Sequence, residues 1–120
     1  MRMFRLASLA LLVSASLAGP VRAADVSIVR GEVMHLECPL GKGDTGRGER
    51  HAACAMTSAR NGEPMVLLTD EAVLIIEGSY VAEKNAKLLD FVGRRVEAKG
   101  TVTERDGRKY LNIAAMMVQK

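Results

Sequence analysis

The stretch "RVEAKGTVTERDGRKYLNIAAMMV" leaves this chain few folds to choose from. Val96, Ala98, Gly100 and Val102 fall on one face, and Glu97, Lys99, Thr101 and Thr103 on the other. Strict alternation of this kind is a strand with one side against a core. Asp106-Gly107 then interrupts it, and that pair suits a two-residue hairpin turn, in which both central residues need positive φ. "KYLNIAAMMV" follows as the last strand, so the chain ends in an antiparallel hairpin.

Upstream, "VSIVRGEVMHLE" (26–37) reads as a β-branched strand broken by Gly31, the kind of glycine that bends a strand at a barrel corner. Pro39 and glycines at 41, 43, 46 and 48 then mark a long loop over 37–62, within which "HAACAMTSARNG" can form a short helix stopped by Gly62. "EPMVLLTDEAVLIIEG" places two apolar runs around a Thr-Asp-Glu turn, a hairpin pattern. In "SYVAEKNAKLLDFVG" the period changes. Val81, Leu88, Leu89 and Val92 share a helical face, with Ser79 as N-cap and Gly93 as C-terminal cap. The order predicts a mainly β fold: a small five-stranded OB-like barrel, with one helix between strands 3 and 4 and a long loop between strands 1 and 2. The echo of "RGEV" (30–33) in "KGTV" (99–102) makes those strands neighbours in such a barrel, each with a bending glycine. Another small α+β domain is the alternative.

Residues 1–23 have the layout of a secretory signal peptide: Arg2 and Arg5, the apolar run "LASLALLVSASLA", then Val21-Arg22-Ala23 before Ala24. The run is short and rich in Ser and Ala for a membrane span. No cysteine marks a lipoprotein and no twin-arginine pair precedes the run. The expectation is therefore a single domain over 24–120, in the periplasm or secreted, with no membrane span after cleavage. Of 17 basic residues, Arg2, Arg5 and Arg22 lie in the leader, which has no acid; the remaining 14 balance 14 acids. Nucleic-acid binders carry a basic surplus, and three aromatics (Tyr80, Phe91, Tyr110) are few for stacking on bases. Nucleic acid is thus not an expected partner.

Two segments resemble known proteins. "RVEAKGTVTERDGRKYLNIAAM" resembles the closing hairpin of small exported bacterial OB-fold proteins. "CPLGKGDTGRGERHAACAMTSARNGEPMVLLTDEAVLII" resembles a group of uncharacterised exported bacterial proteins, whose pattern is a Cys, a Gly-rich run, H-x-x-C-A, then G-x-P and L-L-T-D. The resemblance covers nearly all of 24–120 and implies a binding module, not an enzyme. In that group a further cysteine often follows four residues after the H-x-x-C cysteine. Here the position is Ser58, which weakens any metal role carried over from the group.

Both cysteines and both histidines fall in one stretch, "HLECPLGKGDTGRGERHAAC", as two copies of H-x-x-C. In an OB barrel this connection is one of those that hold ligands. A disulfide between Cys38 and Cys54 fits an oxidising compartment, and closing a loop of about 15 residues stabilises by roughly 3 kcal/mol in the chain-entropy model. A metal site would use Cys38, His51, Cys54 and His35, a donor set for Zn, or for Cu(I) with Met34, Met56 and Met65 nearby. Its anchors are incomplete: His51 and Cys54 share a helix face, whereas His35 and Cys38 on one strand would point apart unless the strand ends before Cys38. A thiol redox pair tuned by His51 is the third reading, against which the wide cysteine spacing counts.

No cofactor is expected beyond that Cu or Zn, and no catalytic residue emerges. "GKGDTGRG" lacks the Lys-Ser/Thr step of a phosphate loop, and Ser58 near His51 has no nucleophile-elbow motif. Met116 and Met117 read as core, and Asp44, Arg47, Glu49 and Arg50 as loop surface. The sequence thus points to an exported OB-fold binding module whose Cys/His loop (38–54) presents a site to a small ligand, a metal or a periplasmic protein.

Overall fold

The computed structural model describes residues 25–37 and 49–120, with the side chains of Glu49 and Arg50 left out. Five strands alternate with two connections of helical character. They are β1 (Val26–His35), α1 (Glu49–Arg60), β2 (Met65–Leu68), β3 (Val73–Glu77), a chain of short helical turns over 79–91, β4 (Arg95–Arg105) and β5 (Arg108–Val118). The strands form one closed sheet in the order β1-β2-β3-β5-β4, all pairs antiparallel except β3 with β5.

Closure depends on β1 serving two partners. Its first part pairs with β4, from Val26↔Thr101 to Glu32↔Arg95; its last part pairs with β2, from Glu32↔Leu68 to His35↔Met65. The strand must turn sharply where it changes partner, and Gly31 stands there: a Cβ on it would strike the Leu68 carbonyl. Gly100 plays the matching part in β4, where the register with β5 shifts between Lys99 and Gly100 and a Cβ would strike the Asn112 carbonyl. The echo of "RGEV" in "KGTV" is thus a pair of neighbouring, bent strands.

The alternation in β4 holds for Val96, Ala98 and Gly100, which are buried, but not for Val102, which is exposed where the strand runs out toward its turn. Together with Val33, Leu67, Leu74, Ile76, Leu111 and Ile113, Val96 and Ala98 belong to a continuous core. Asp106 (φ 52) and Gly107 (φ 76) both take the positive φ that the turn between Arg105 and Arg108 requires. The β2–β3 turn is held by Thr69, whose hydroxyl oxygen accepts the Ala72 N–H at 2.8 Å.

The helical parts differ from expectation. The regular helix lies between β1 and β2, not between β3 and β4. It runs Glu49–Arg60 and buries Ala55 and Ala59, one turn apart, against the sheet. Small side chains let it approach closely: a Cβ on Gly93 would lie 2.6 Å from the Ala52 Cβ. The helix ends in a Schellman arrangement, with the Gly62 N–H donating to the Ala59 carbonyl (3.0 Å) and the Glu63 N–H to the Ser58 carbonyl (3.1 Å).

Between β3 and β4 the helical periodicity of Val81, Leu88, Leu89 and Val92 does not produce one helix. Glu83 (φ 53), Lys84 (φ 55) and Asn85 (φ 61) are left-handed, and 3₁₀ turns flank them at Ser79–Val81 and Ala86–Phe91. Ser79 is no N-cap, since the cap position is Gly78 and no side chain caps the turn. The reason is tertiary: the left-handed turn accompanies a buried Asn85 side chain bonded to the end of α1. Val92 then bridges to Val33, and the Gly93 N–H donates to the Val33 carbonyl at 2.8 Å. Met117 is a further departure, 63% exposed on β5 instead of core. Among the described residues no helix is long and apolar enough to cross a membrane.

Candidate functional site

β1 ends at His35, and Leu36–Glu37 form a turn, so the strand does stop before Cys38. Cys38 itself, and 38–48 with it, lie outside the described residues, as do residues 1–24, with the expected signal peptide over 1–23. His35 is 8% exposed, with Nε2 3.8 Å from Glu63 Oε2 just beyond α1. His51 and Cys54 both sit on α1, His51 half-buried and Cys54 exposed. Ser58, at the position where the resembling proteins carry another cysteine, is buried. Among the described residues Cys54 forms no disulfide, and no three His, Cys, Asp or Glu side chains are grouped to hold a metal.

A different feature involves none of these residues. A cleft of about 480 Å³ opens between the start of the β1–β2 connection and the β4–β5 turn. Among the described residues it is lined by Leu36 and Glu37 at the end of β1, Val73 and Ile75 on β3, and Gly107, Arg108 and Lys109 entering β5. The local pattern explains the lining. β3 buries Leu74 and Ile76, so the alternate residues Val73 and Ile75 turn away from the core. The parallel pairing of β3 with β5, Leu74↔Lys109 and Ile75↔Tyr110, brings the basic start of β5 alongside them.

The charge around the cleft is partly spoken for. Arg105 donates to Glu77 Oε2 at 2.6 Å and lies 4.0 Å from the centroid of the Tyr110 ring. The hydrogen bond to the Glu77 carboxylate is the main cause of an Arg105 pKa raised above its ordinary value. Arg108 and Lys109 have no such partner among the described residues, and Glu104 faces Lys109 in register without forming an ion pair. The arrangement offers an apolar floor with a cationic rim, the composition of a small-molecule binding site.

None of these cleft residues stood out in the sequence as part of a site, although Gly107 was legible as a turn residue. Their signal was present: an outward apolar pair in "VLIIE", and Arg-Lys immediately after Asp-Gly. What joins them is the parallel β3–β5 pairing, which links residues more than 30 positions apart. Compared with known protein families, curated proteins and solved structures, the chain matches none.

Proposed function

We propose that this protein is an exported, OB-like binding module, not an enzyme, whose ligand site lies between its first long connection and its last turn. The strand order, the parallel closing pair and the two bent, neighbouring strands support the OB-like reading. The observation that carries the functional reading is the position of the cleft. OB barrels take ligands on the face and loops formed by the β1–β2 and β4–β5 connections, and here Leu36–Glu37 and Gly107–Lys109 line the same opening. In this reading a Cys38–Cys54 disulfide joins the connection after β1 to α1. Loops held on a rigid scaffold are where binding tends to be placed.

The test is binding of an uncharged apolar fluorescent dye, N-phenyl-1-naphthylamine, to the purified protein and to Ile75→Asn. Ile75 is half-buried and packs against the core from outside it, so the melting temperature of the variant is measured alongside to show that the fold is retained. The expected result is saturable dye fluorescence in the parent and a loss of at least about tenfold in affinity in the variant, as expected for removing an apolar floor residue. No dye binding, or equal binding by both proteins, contradicts the reading.

A further inference from the structure

Resting on that reading, we propose that the cleft takes an amphiphile with an anionic head group, its apolar chain on Leu36, Val73 and Ile75 and its head at Arg108 and Lys109. The argument is one of unspent charge. Arg30 is bound to Glu97 at 2.9 Å, Arg105 to Glu77 at 2.6 Å, and Arg95 lies 3.9 Å from Asp70. Each is a cation on the sheet surface with an acid of its own. Arg108 and Lys109 are the cations on the cleft lining, and neither makes a side-chain ion pair or hydrogen bond among the described residues.

The lining places the two chemistries in order. Leu74↔Lys109 pairing sets Val73 beside Arg108 and Ile75 one step further along the same strands. A ligand lying along β3 therefore has Ile75 at one end and, at the other, Val73 with Arg108 and Lys109 alongside on β5. Glu37 is the acid on the lining among the described residues, and it follows Leu36, whose N–H donates to the Pro64 carbonyl ahead of β2, whereas Val73 and Arg108 lie level with Leu68 at the other end of β2. An anionic head beside Glu37 would be repelled, so the Gly107–Lys109 end is where it fits. Gly107 keeps that end open, since nothing lies within 4 Å of the place where its Cβ would stand. The volume of about 480 Å³ suits a single small chain; small-molecule sites span roughly 300–1,000 Å³.

The experiment compares three probes with the same alkyl chain, each below its micelle-forming concentration: decanoate, decyltrimethylammonium and decyl maltoside. Binding to the purified protein is followed by amide shifts of Val73, Ile75, Arg108 and Lys109 in two-dimensional NMR. The expected result is decanoate binding about tenfold more tightly than the other two, the contribution of two exposed ion pairs, with the difference shrinking as salt is raised. Arg108→Gln with Lys109→Gln should abolish the preference while leaving decyl maltoside unchanged, and both positions are exposed, so the fold is retained. Equal affinity for all three heads overturns the proposal, as does a preference that survives the double substitution. In both cases binding in the cleft still stands. Absence of cleft shifts with decanoate also overturns it, and if the dye is silent too, the binding-module reading falls with it.

Discussion

Asn85 donates from Nδ2 to the Ala59 carbonyl at 3.0 Å, across 26 positions of sequence, and to the Glu63 carbonyl at 2.9 Å. One buried carboxamide, 2% exposed, thus ties the β3–β4 connection to the end of the helix that carries His51 and Cys54. It does so from a left-handed backbone, which asparagine tolerates better than most residues. Asn85→Ala removes both donors and leaves a β-carbon in that conformation. It should destabilise the domain by about 2–4 kcal/mol, from two lost hydrogen bonds and the left-handed strain of the alanine, while the Ala59 carbonyl keeps the Gly62 N–H as a partner. Asn85→Gly relieves the backbone but not the lost bonds, and should fall between the two. Urea denaturation checks this; a loss below about 0.5 kcal/mol for Asn85→Ala, the range of an ordinary surface change, would show that the bonds are incidental.

Glycines in this fold have two different jobs, and substitution separates them. At Gly31 an added Cβ meets the backbone carbonyl of Leu68, which cannot rotate away. Gly31→Ala should cost about 3 kcal/mol or more, at the upper end of overpacking effects, or prevent folding. At Gly107 there is no steric neighbour, only a φ of 76. Gly107→Ala should cost about 1–2 kcal/mol, the left-handed penalty alone. Thermal melts of both variants give the ranking, and a Gly107 variant less stable than the Gly31 one would contradict the account of β1 bending.

The two cysteines should act as one unit. Cys38→Ser and Cys54→Ser are each expected to cost about 2–5 kcal/mol if they remove a staple, and the double variant little more than either. Free-thiol counts with and without a chelator distinguish the cause. No thiols in either case means a disulfide; two thiols that appear only on chelation mean a metal. His51→Ala gives an independent reading, silent in melting temperature for a disulfide and metal-dependent for a metal site. Additive losses from the two cysteine variants would rule out both arrangements.

Single-stranded nucleic acid should not bind, although the cleft lies where an OB barrel would take it. Stacking needs an exposed aromatic face. Tyr110, the aromatic next to the cleft, has Arg105 over its ring at 4.0 Å, held there by Glu77. Fluorescence anisotropy with labelled oligonucleotides is expected to show no submicromolar, salt-sensitive association. Finding one would mean that Arg105 gives up Glu77 and the ring becomes available.

Local chemistry was enough to determine β1, the β2–β3 and β4–β5 hairpins and the two bent neighbours, because each is written within a few residues. Alternation sets which face of β4 is buried, Asp106-Gly107 sets the turn, and Gly31 and Gly100 mark the bends. Tertiary structure decided the rest. Helical periodicity over Val81–Val92 lost to the demand that Asn85 turn inward to the end of α1, since a single pair of buried hydrogen bonds outweighs a weak propensity. The short helix stopped by Gly62 was itself legible in "HAACAMTSARNG"; it starts at Glu49, and tertiary structure supplied the surface against which Ala55 and Ala59 pack. The cleft followed the same rule. Val73 and Ile75 were visible as strand residues, and Arg108 and Lys109 as charges after a turn. Only the parallel closure of β3 on β5 makes them one surface, because long-range strand pairing leaves no mark at the spacing over which a sequence is read.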